Sequence, residues 1–183
     1  MPGAYVQRGE RVTLRTVESE DASFVQRAGT NPEIRYPLGN PVMTRATHEE
    51  RIEDDGDDRF LVCLDGDDAD PATDDENVTR IGQVDVVDAD YKRPELGYWL
   101  VPAVHGEGYG TEAVALALDY VFREYDTPAV GAKAFDFNDA SRGLLESLGF
   151  ETEGRCRKYM FVDGDHRDMI QYGLLREEWH ERG

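Results

Sequence analysis

Leu96-Gly-Tyr-Trp-Leu-Val101 followed by Pro102-Ala-Val-His-Gly-Glu-Gly-Tyr-Gly-Thr-Glu-Ala113 is the stretch that decides the fold. An apolar segment comes first, then three glycines at alternate positions (Gly106, Gly108, Gly110), then an amphipathic segment to Glu124. The order is strand, glycine turn, helix. Glycines let backbone N–H groups approach a ligand closely, because no Cβ intervenes. A helix opening there adds unpaired N–H groups and the positive end of its dipole. The expected product is a phosphate or pyrophosphate site; the bland alternative is a plain strand-to-helix turn. A dinucleotide fingerprint needs Gly-x-Gly-x-x-Gly and an acidic residue about 20 positions on. Here the spacing is Gly-x-Gly-x-Gly, and Ala129-Val-Gly-Ala-Lys133 carries no carboxylate. A P-loop needs Gly-Lys-Ser/Thr, and no lysine comes after these glycines in that pattern.

The rest of the chain supplies a frame for that junction. Its 183 residues suit one domain, 1–183, with a full core. Arg11–Val17 alternates and predicts a first strand. Glu18 to Asp21 opens a helix through Ala28. Asn31-Pro32 and Tyr36-Pro37 break the chain beyond it, and a second helix is expected near Thr44 to Asp54. Strands are expected at Arg59–Leu64, Arg80–Val87 and Glu95–Val101, forming an antiparallel meander. The helix after the glycines makes the next strand, Val130–Phe137, parallel to its predecessor. Asn138 and Gly149 bracket a short helix as N-cap and C′ residues. Asp163-Gly164 turns a final hairpin, Arg155–Val162 to His166–Leu175.

Charge excludes some partners. There are 39 acidic residues against 20 basic ones, a net of −19. Such a field repels nucleic acid and acidic membranes. The basic residues are arginines except Lys92, Lys133 and Lys158. An acidic, lysine-poor surface suits a halophilic cytoplasm, where the Debye length falls to about 3 Å at 1 M salt. No apolar run approaches a membrane span, and the N-terminus lacks a signal-peptide core. Cys63 and Cys156 show no metal or CxxC spacing and read as reduced, buried thiols of a cytoplasmic protein. His48, His105, His166 and His180 are scattered, so no metal is expected. Residues 65–77 hold seven carboxylates and read as a solvated hairpin loop. A calcium loop would place Asp65, Asp67 and Glu76 at positions 1, 3 and 12, but Ala69 and Asp70 fail positions 5 and 6.

His105-Gly-Glu-Gly-Tyr-Gly110 resembles the acetyl-CoA loop of the GCN5-related N-acetyltransferases (GNAT), Gln/Arg-x-x-Gly-x-Gly/Ala, with His105 in the first place. Asn138-x-x-Ser-x-x-Leu-Leu-Glu-x-Leu-Gly-Phe150 is similar to that family's second signature. Leu14-Arg15, Glu95-x-Gly-Tyr-Trp-Leu100, Gly108-Tyr-Gly-Thr-Glu-Ala113, Asp168 and Glu178-Trp179 resemble its RimJ/RimL-like branch, which acetylates ribosomal-protein N-termini. The resemblance implies a mixed α/β fold with a mostly antiparallel sheet flanked by helices. The fourth and fifth expected strands are parallel and splay apart to admit acetyl-CoA. It also implies cofactor contacts from Leu100, Val101, His105, Gly106, Gly108, Tyr109, Gly110, Thr111, Asn138, Ser141 and Arg142.

Amide formation from a thioester needs a neutral amine, a polarised carbonyl and a thiolate that can leave. An α-amine, with a pKa near about 8, needs only mild help from a base. Glu95 is the candidate base, acting directly or through a water, and the resemblance implies that a backbone N–H of the 98–101 strand meets the thioester oxygen. Many relatives carry a tyrosine acid seven residues after the asparagine; here that position is Leu145, and Ser141 is the candidate to meet the sulfur. A protein N-terminus is the favoured acceptor. A small amine such as a polyamine or aminoglycoside-like compound, or a non-catalytic acyl-CoA-binding module, are the alternatives. Edge strands and the apolar 116–121 face could support a homodimer.

Overall fold

The computed structural model describes residues 3–53, 57–66, 78–89 and 92–182. Its strands are β1 (Tyr5–Arg8), β2 (Thr13–Thr16), β3 (Asp58–Leu64), β4 (Thr79–Val87), β5 (Glu95–Leu100), β6 (Ala129–Phe135), β7 (Glu151–Val162) and β8 (Asp165–Leu175). The helices are α1 (Ala22–Thr30), α2 (Pro32–Leu38), α3 (Arg45–Glu53), α4 (Tyr109–Glu124), α5 (Asp139–Ser147) and α6 (Arg176–His180). Among the described residues the strands form one sheet in the order β1-β2-β3-β4-β5-β6-β8-β7.

Every neighbouring pair is antiparallel except β5–β6. That parallel pair meets only at Glu95–Gly131 and Leu96–Ala132. Beyond Leu96 the two strands part, as the resemblance implied. β5 keeps its pairing to β4 throughout, Glu95 with Val87 to Leu100 with Gly82. β6 likewise stays paired to β8 from Ala129 to Phe135. The split therefore lies between two well-anchored halves of a sheet.

Strand alternation assigns the faces. Leu96, Tyr98 and Leu100 join Val84, Val86, Val114, Ala117 and Val121 in the main core, on the side covered by α4 and α5. Glu95, Gly97 and Trp99 face the other way, and Phe24 of α1 packs its ring on Trp99 at 5.6 Å between centroids. The apolar 116–121 face of α4 is part of this core: Ala117, Leu118 and Val121 are fully buried. It is therefore not a dimer surface, because its burial is already satisfied within the chain.

Three local expectations change. β1 was not foreseen, and the first expected strand is confined to Thr13–Thr16. The stretch expected to be broken by prolines is α2. Pro32 sits at its first turn, where the missing N–H has no helical partner to lose, and the Asn31 side chain accepts from the Glu33 N–H at 3.0 Å. Gly39, at φ +67°, ends the helix soon after Pro37. At the C-terminus, Glu178 caps α6 by accepting from the Leu175 N–H. Of the acidic 65–77 loop, residues 67–77 lie outside the described residues, Asp67 and Glu76 among them. Asp65 is bound by Thr13 Oγ1 at 2.8 Å and Arg15 at 3.4 Å. Cys63 is buried and Cys156 half-buried; neither is bonded to the other.

Candidate active site

A cleft of about 530 Å³ passes through the sheet where β5 and β6 separate. Its α4–α5 mouth is lined by Tyr98, Leu100, His105, Gly106, Gly108, Gly110, Thr111, Asn138 and Ser141. Its α2 mouth is lined by Glu33, Ile34, Pro37, Leu38, Gly97, Trp99 and Lys133.

Backbone builds the first mouth. Gly106 and Gly108 both adopt φ +83°, a left-handed conformation open to glycine at no steric cost. Gly108 is the N-cap of α4, and the first α4 backbone bond runs from the Glu112 N–H to the Gly108 carbonyl at 3.2 Å. The N–H groups of Tyr109, Gly110 and Thr111 precede that bond and have no helical acceptor. At the positive end of a 16-residue helix, these donors are suited to receive an anion. Gly110 allows α5 to approach: a Cβ there would meet Leu144 at 3.1 Å and Leu100 at 3.4 Å.

The loop is tied at both ends. Glu112 accepts from the Arg11 and Val12 N–H groups at 2.7 and 3.2 Å and from Arg11 Nε at 3.1 Å. Arg11 Nη1 donates to the Glu107 carbonyl at 2.8 Å. Burial works to raise the Glu112 pKa, but these hydrogen bonds outweigh it and hold the carboxyl below the usual range. His105 donates from Nε2 to the Leu100 carbonyl at 2.9 Å, which joins the loop to the end of β5. The Val101 N–H goes to Ile81 of β4 at 2.8 Å. Alternation along the strand then turns the Tyr98 and Leu100 N–H groups towards the split.

Ser141 and Tyr98 meet across the same mouth. Asn138 caps α5, its Oδ1 accepting from the Ser141 N–H at 3.2 Å. That cap fixes the start of the helix and holds half-buried Ser141 over the cleft. The Tyr98 hydroxyl lies 2.7 Å from Ser141 Oγ and also donates to the Ser141 carbonyl at 3.3 Å. Burial pushes the Tyr98 phenol up to about 12, so it stays protonated and remains a donor near neutral pH. Sequence reasoning placed Tyr98 in a motif without giving it a role; a tyrosine on a core-facing position of a strand reads first as packing.

Other candidate residues sit elsewhere. Arg142 turns from the cleft towards the Tyr172 hydroxyl (3.3 Å), the Asp136 carbonyl (3.2 Å) and Asp139 (3.4 Å). Tyr109 lies under the Arg11 guanidinium, 4.9 Å from its ring centre. Neither they nor Val101 are among the residues lining the cleft. Glu95 is beside the α2 mouth rather than in its lining, with its carboxylate 2.7 Å from Lys133 Nζ. Among the described residues no cluster of His, Cys, Asp and Glu could hold a metal, and no helix is long and apolar enough to cross a membrane.

A split sheet with an anion-binding helix start beside the split defines a thioester-cofactor transferase of the GNAT class. Residues 11–151 match the model of the acetyltransferase (GNAT) domain, and the chain belongs to that family. It is 29% identical over 179 residues to the SPbeta prophage-derived uncharacterized N-acetyltransferase YokL of Bacillus subtilis, with 93% of each chain covered. It is 33% identical over 84 residues to the [ribosomal protein uS5]-alanine N-acetyltransferase of Escherichia coli, covering 46% of this chain and 43% of that one. The spermidine N-acetyltransferase of Vibrio cholerae, solved with CoA and spermine, superposes with a TM-score of 0.80 at 21% identity, covering 94% of this chain and 99% of that one. The protein is thus an N-acetyltransferase that uses acetyl-CoA.

Proposed function

We propose that the protein acetylates the α-amine of a protein or peptide N-terminus, in the manner of the RimJ/RimL-like branch. The observation that carries this is the character of the α2 mouth. Its charged lining is one carboxylate, Glu33, and one ammonium, Lys133; Ile34, Pro37, Leu38 and Trp99 supply apolar surface. Glu95, just outside, is neutralised by Lys133. A polyamine carries several positive charges and needs several unpaired carboxylates. A peptide N-terminus brings one ammonium and an apolar first side chain, which this lining suits. The net charge of −19 draws any cation towards the molecule, but the contacts at the mouth decide which amine stays.

In this reading the pyrophosphate of acetyl-CoA lies on the N–H groups that open α4, and Asn138 offers its amide to the pantetheine arm. A β5 N–H facing the split receives the thioester oxygen as charge develops on it. Ser141 donates to the departing sulfur, and the Tyr98 phenol replaces that hydrogen bond from behind. The test is acetyl transfer from acetyl-CoA to a panel of peptides and polyamines, read by mass and by release of the CoA thiol. Peptide α-amines are expected to be the better acceptors. Preferential acetylation of spermine or spermidine would overturn the assignment, and no thiol release with any amine would return the module to a binding role.

A further inference from the structure

We propose that Asp85 is the general base, taking the proton of the acceptor ammonium, directly or through one water, across the space that Gly97 leaves open on the sheet face. This rests on the reading that an amine enters by the α2 mouth. Asp85 lies on β4, directly opposite Gly97 of β5, so the two share the face that α1 and α2 cover. A side chain at Gly97 would meet nothing within 4 Å, and Gly97 lines the cleft. No side chain therefore stands on β5 between the cleft and the Asp85 position.

The neighbouring Gln83 is the second observation. Its Nε2 donates to Asp85 Oδ1 at 2.6 Å, which orients the carboxylate. Its Oε1 is buried and accepts no hydrogen bond from the described residues. Buried polar groups are nearly always paired. An amine N–H or a bound water would supply the donor that Gln83 Oε1 lacks, two residue pairs along from Gly97 on the same face, opposite Trp99. Gln83 and Asp85 are not themselves among the residues lining the cleft; they place two acceptors on the sheet face beside Gly97, which is. Glu95 offers less, because its charge is already taken by Lys133 at 2.7 Å.

The environment also tunes Asp85 for the task. Burial pushes its pKa up to about 6, against the hydrogen bond from Gln83 and the charges of Arg59 on β3 and Arg51 on α3; Asp57 pushes the same way as burial. The Glu95–Lys133 pair is the charged neighbour on the β5–β6 side. Asp85 is thus ionised at neutral pH and more basic than an exposed carboxylate. The ammonium gives one proton to Asp85, and its lone pair then forms the C–N bond to the thioester carbon. The C–S bond breaks as the second N–H proton is lost, the thiolate takes up a proton, and one proton per turnover leaves to solvent.

The experiment compares wild type, Asp85→Asn, Glu95→Gln and Gly97→Val, with kcat/KM for a peptide acceptor followed against pH and acetyl-CoA affinity followed by calorimetry. Asp85→Asn is expected to keep its affinity for acetyl-CoA and to lose about 10²-fold or more in kcat/KM, in the range of general-base contributions. Its acidic limb, near the Asp85 pKa in wild type, should vanish. Trifluoroethylamine, neutral at the assay pH, should restore much of the rate. Gly97→Val, which leaves the carboxylate in place, should lose acetyl transfer with the cofactor still bound. Equal rates in wild type and Asp85→Asn, or a larger loss in Glu95→Gln than in Asp85→Asn, would overturn the base assignment alone. A wild-type protein that acetylates no amine would overturn the parent reading and this one with it.

Discussion

The two mouths of the cleft are built from different material. In the proposed reading the α4–α5 side offers the cofactor main-chain N–H groups, set by glycine conformations and helix caps. In the same reading the α2 side offers the acceptor the side chains of Glu33, Trp99 and Lys133, an open sheet face at Gly97, and the proposed base Asp85 across from it on β4. Backbone donors recognise what every member of the family must bind, since they do not depend on side-chain identity. Side chains can be exchanged one at a time, so the acceptor mouth is where specificity can change without disturbing the cofactor. On that reading a shared fold can accompany acceptors as different as those named for the ribosomal-protein and spermidine acetyltransferases among the relatives.

The contrast can be broken most forcefully at Gly108. Valine there must adopt φ +83° with a Cβ 3.1 Å from the Arg11 guanidinium, at the N-cap of α4. We expect about 10²-fold weaker acetyl-CoA binding by calorimetry, equivalent to about 2.7 kcal/mol, with the fold retained by circular dichroism. Unchanged affinity in a folded Gly108→Val protein would reduce the loop to a structural turn. Ser141→Ala comes next. Its loss should appear in kcat, by roughly tenfold and at most about 10²-fold, with little change in the KM for acetyl-CoA. Tyr98→Phe should show the same pattern at smaller amplitude, because the phenol acts through Ser141; a drop larger than that of Ser141→Ala would place Tyr98 itself at the sulfur.

The acceptor side can be sharpened through stability. Asp85 titrates near 6 in the folded protein and near the ordinary value of about 4 when unfolded. Between those values the folded state binds more protons, so this group's contribution falls as pH rises through the window. Asp85→Asn should therefore gain on wild type by on the order of 2–3 kcal/mol between pH 4 and pH 7 in denaturant unfolding. A parallel pH dependence of the two proteins would show that the carboxylate titrates normally. Salt gives the smallest expected effect. Acetyl-CoA is a polyanion approaching a net charge of −19, so its affinity should rise modestly from low to high salt as repulsion is screened. A steady fall in affinity for folded protein would refute this.

The geometry of the α4–α5 mouth was legible because it is local. Gly106 to Thr111 and Asn138 to Ser141 are short contiguous strings whose backbone geometry stems from residue type. The parallel pair was legible too, since a helical crossover between strands dictates it. The acceptor mouth was not, because it depends on register. Asp85 and Gly97 are far apart in sequence and become neighbours only when β4 and β5 pair. Glu95, expected as the base from its place before the loop, pairs with Lys133 of β6, a partner that only the sheet order reveals. The α2 helix was hidden for another reason. Prolines signal breaks, whereas here one begins the helix and the other sits just before its end, where the helix gives up one i→i−4 bond and stops two residues later at Gly39. β1 is short, has a bulged register and carries no buried stripe to announce it.

A sheet that opens in its middle has four edges rather than two. Beyond Leu96 and Ala132, β5 and β6 each expose a row of backbone groups inside the molecule, in addition to the outer edges of β1 and β7. Edge strands are templates for pairing with foreign strands and need protection. Here the helices over the two mouths supply part of that protection, and on the proposed reading an extended cosubstrate lying in the split would supply the rest and guard against self-association. Protein stripped of CoA should aggregate at lower temperature than protein saturated with it, and the β5 amides facing the split should exchange with solvent faster.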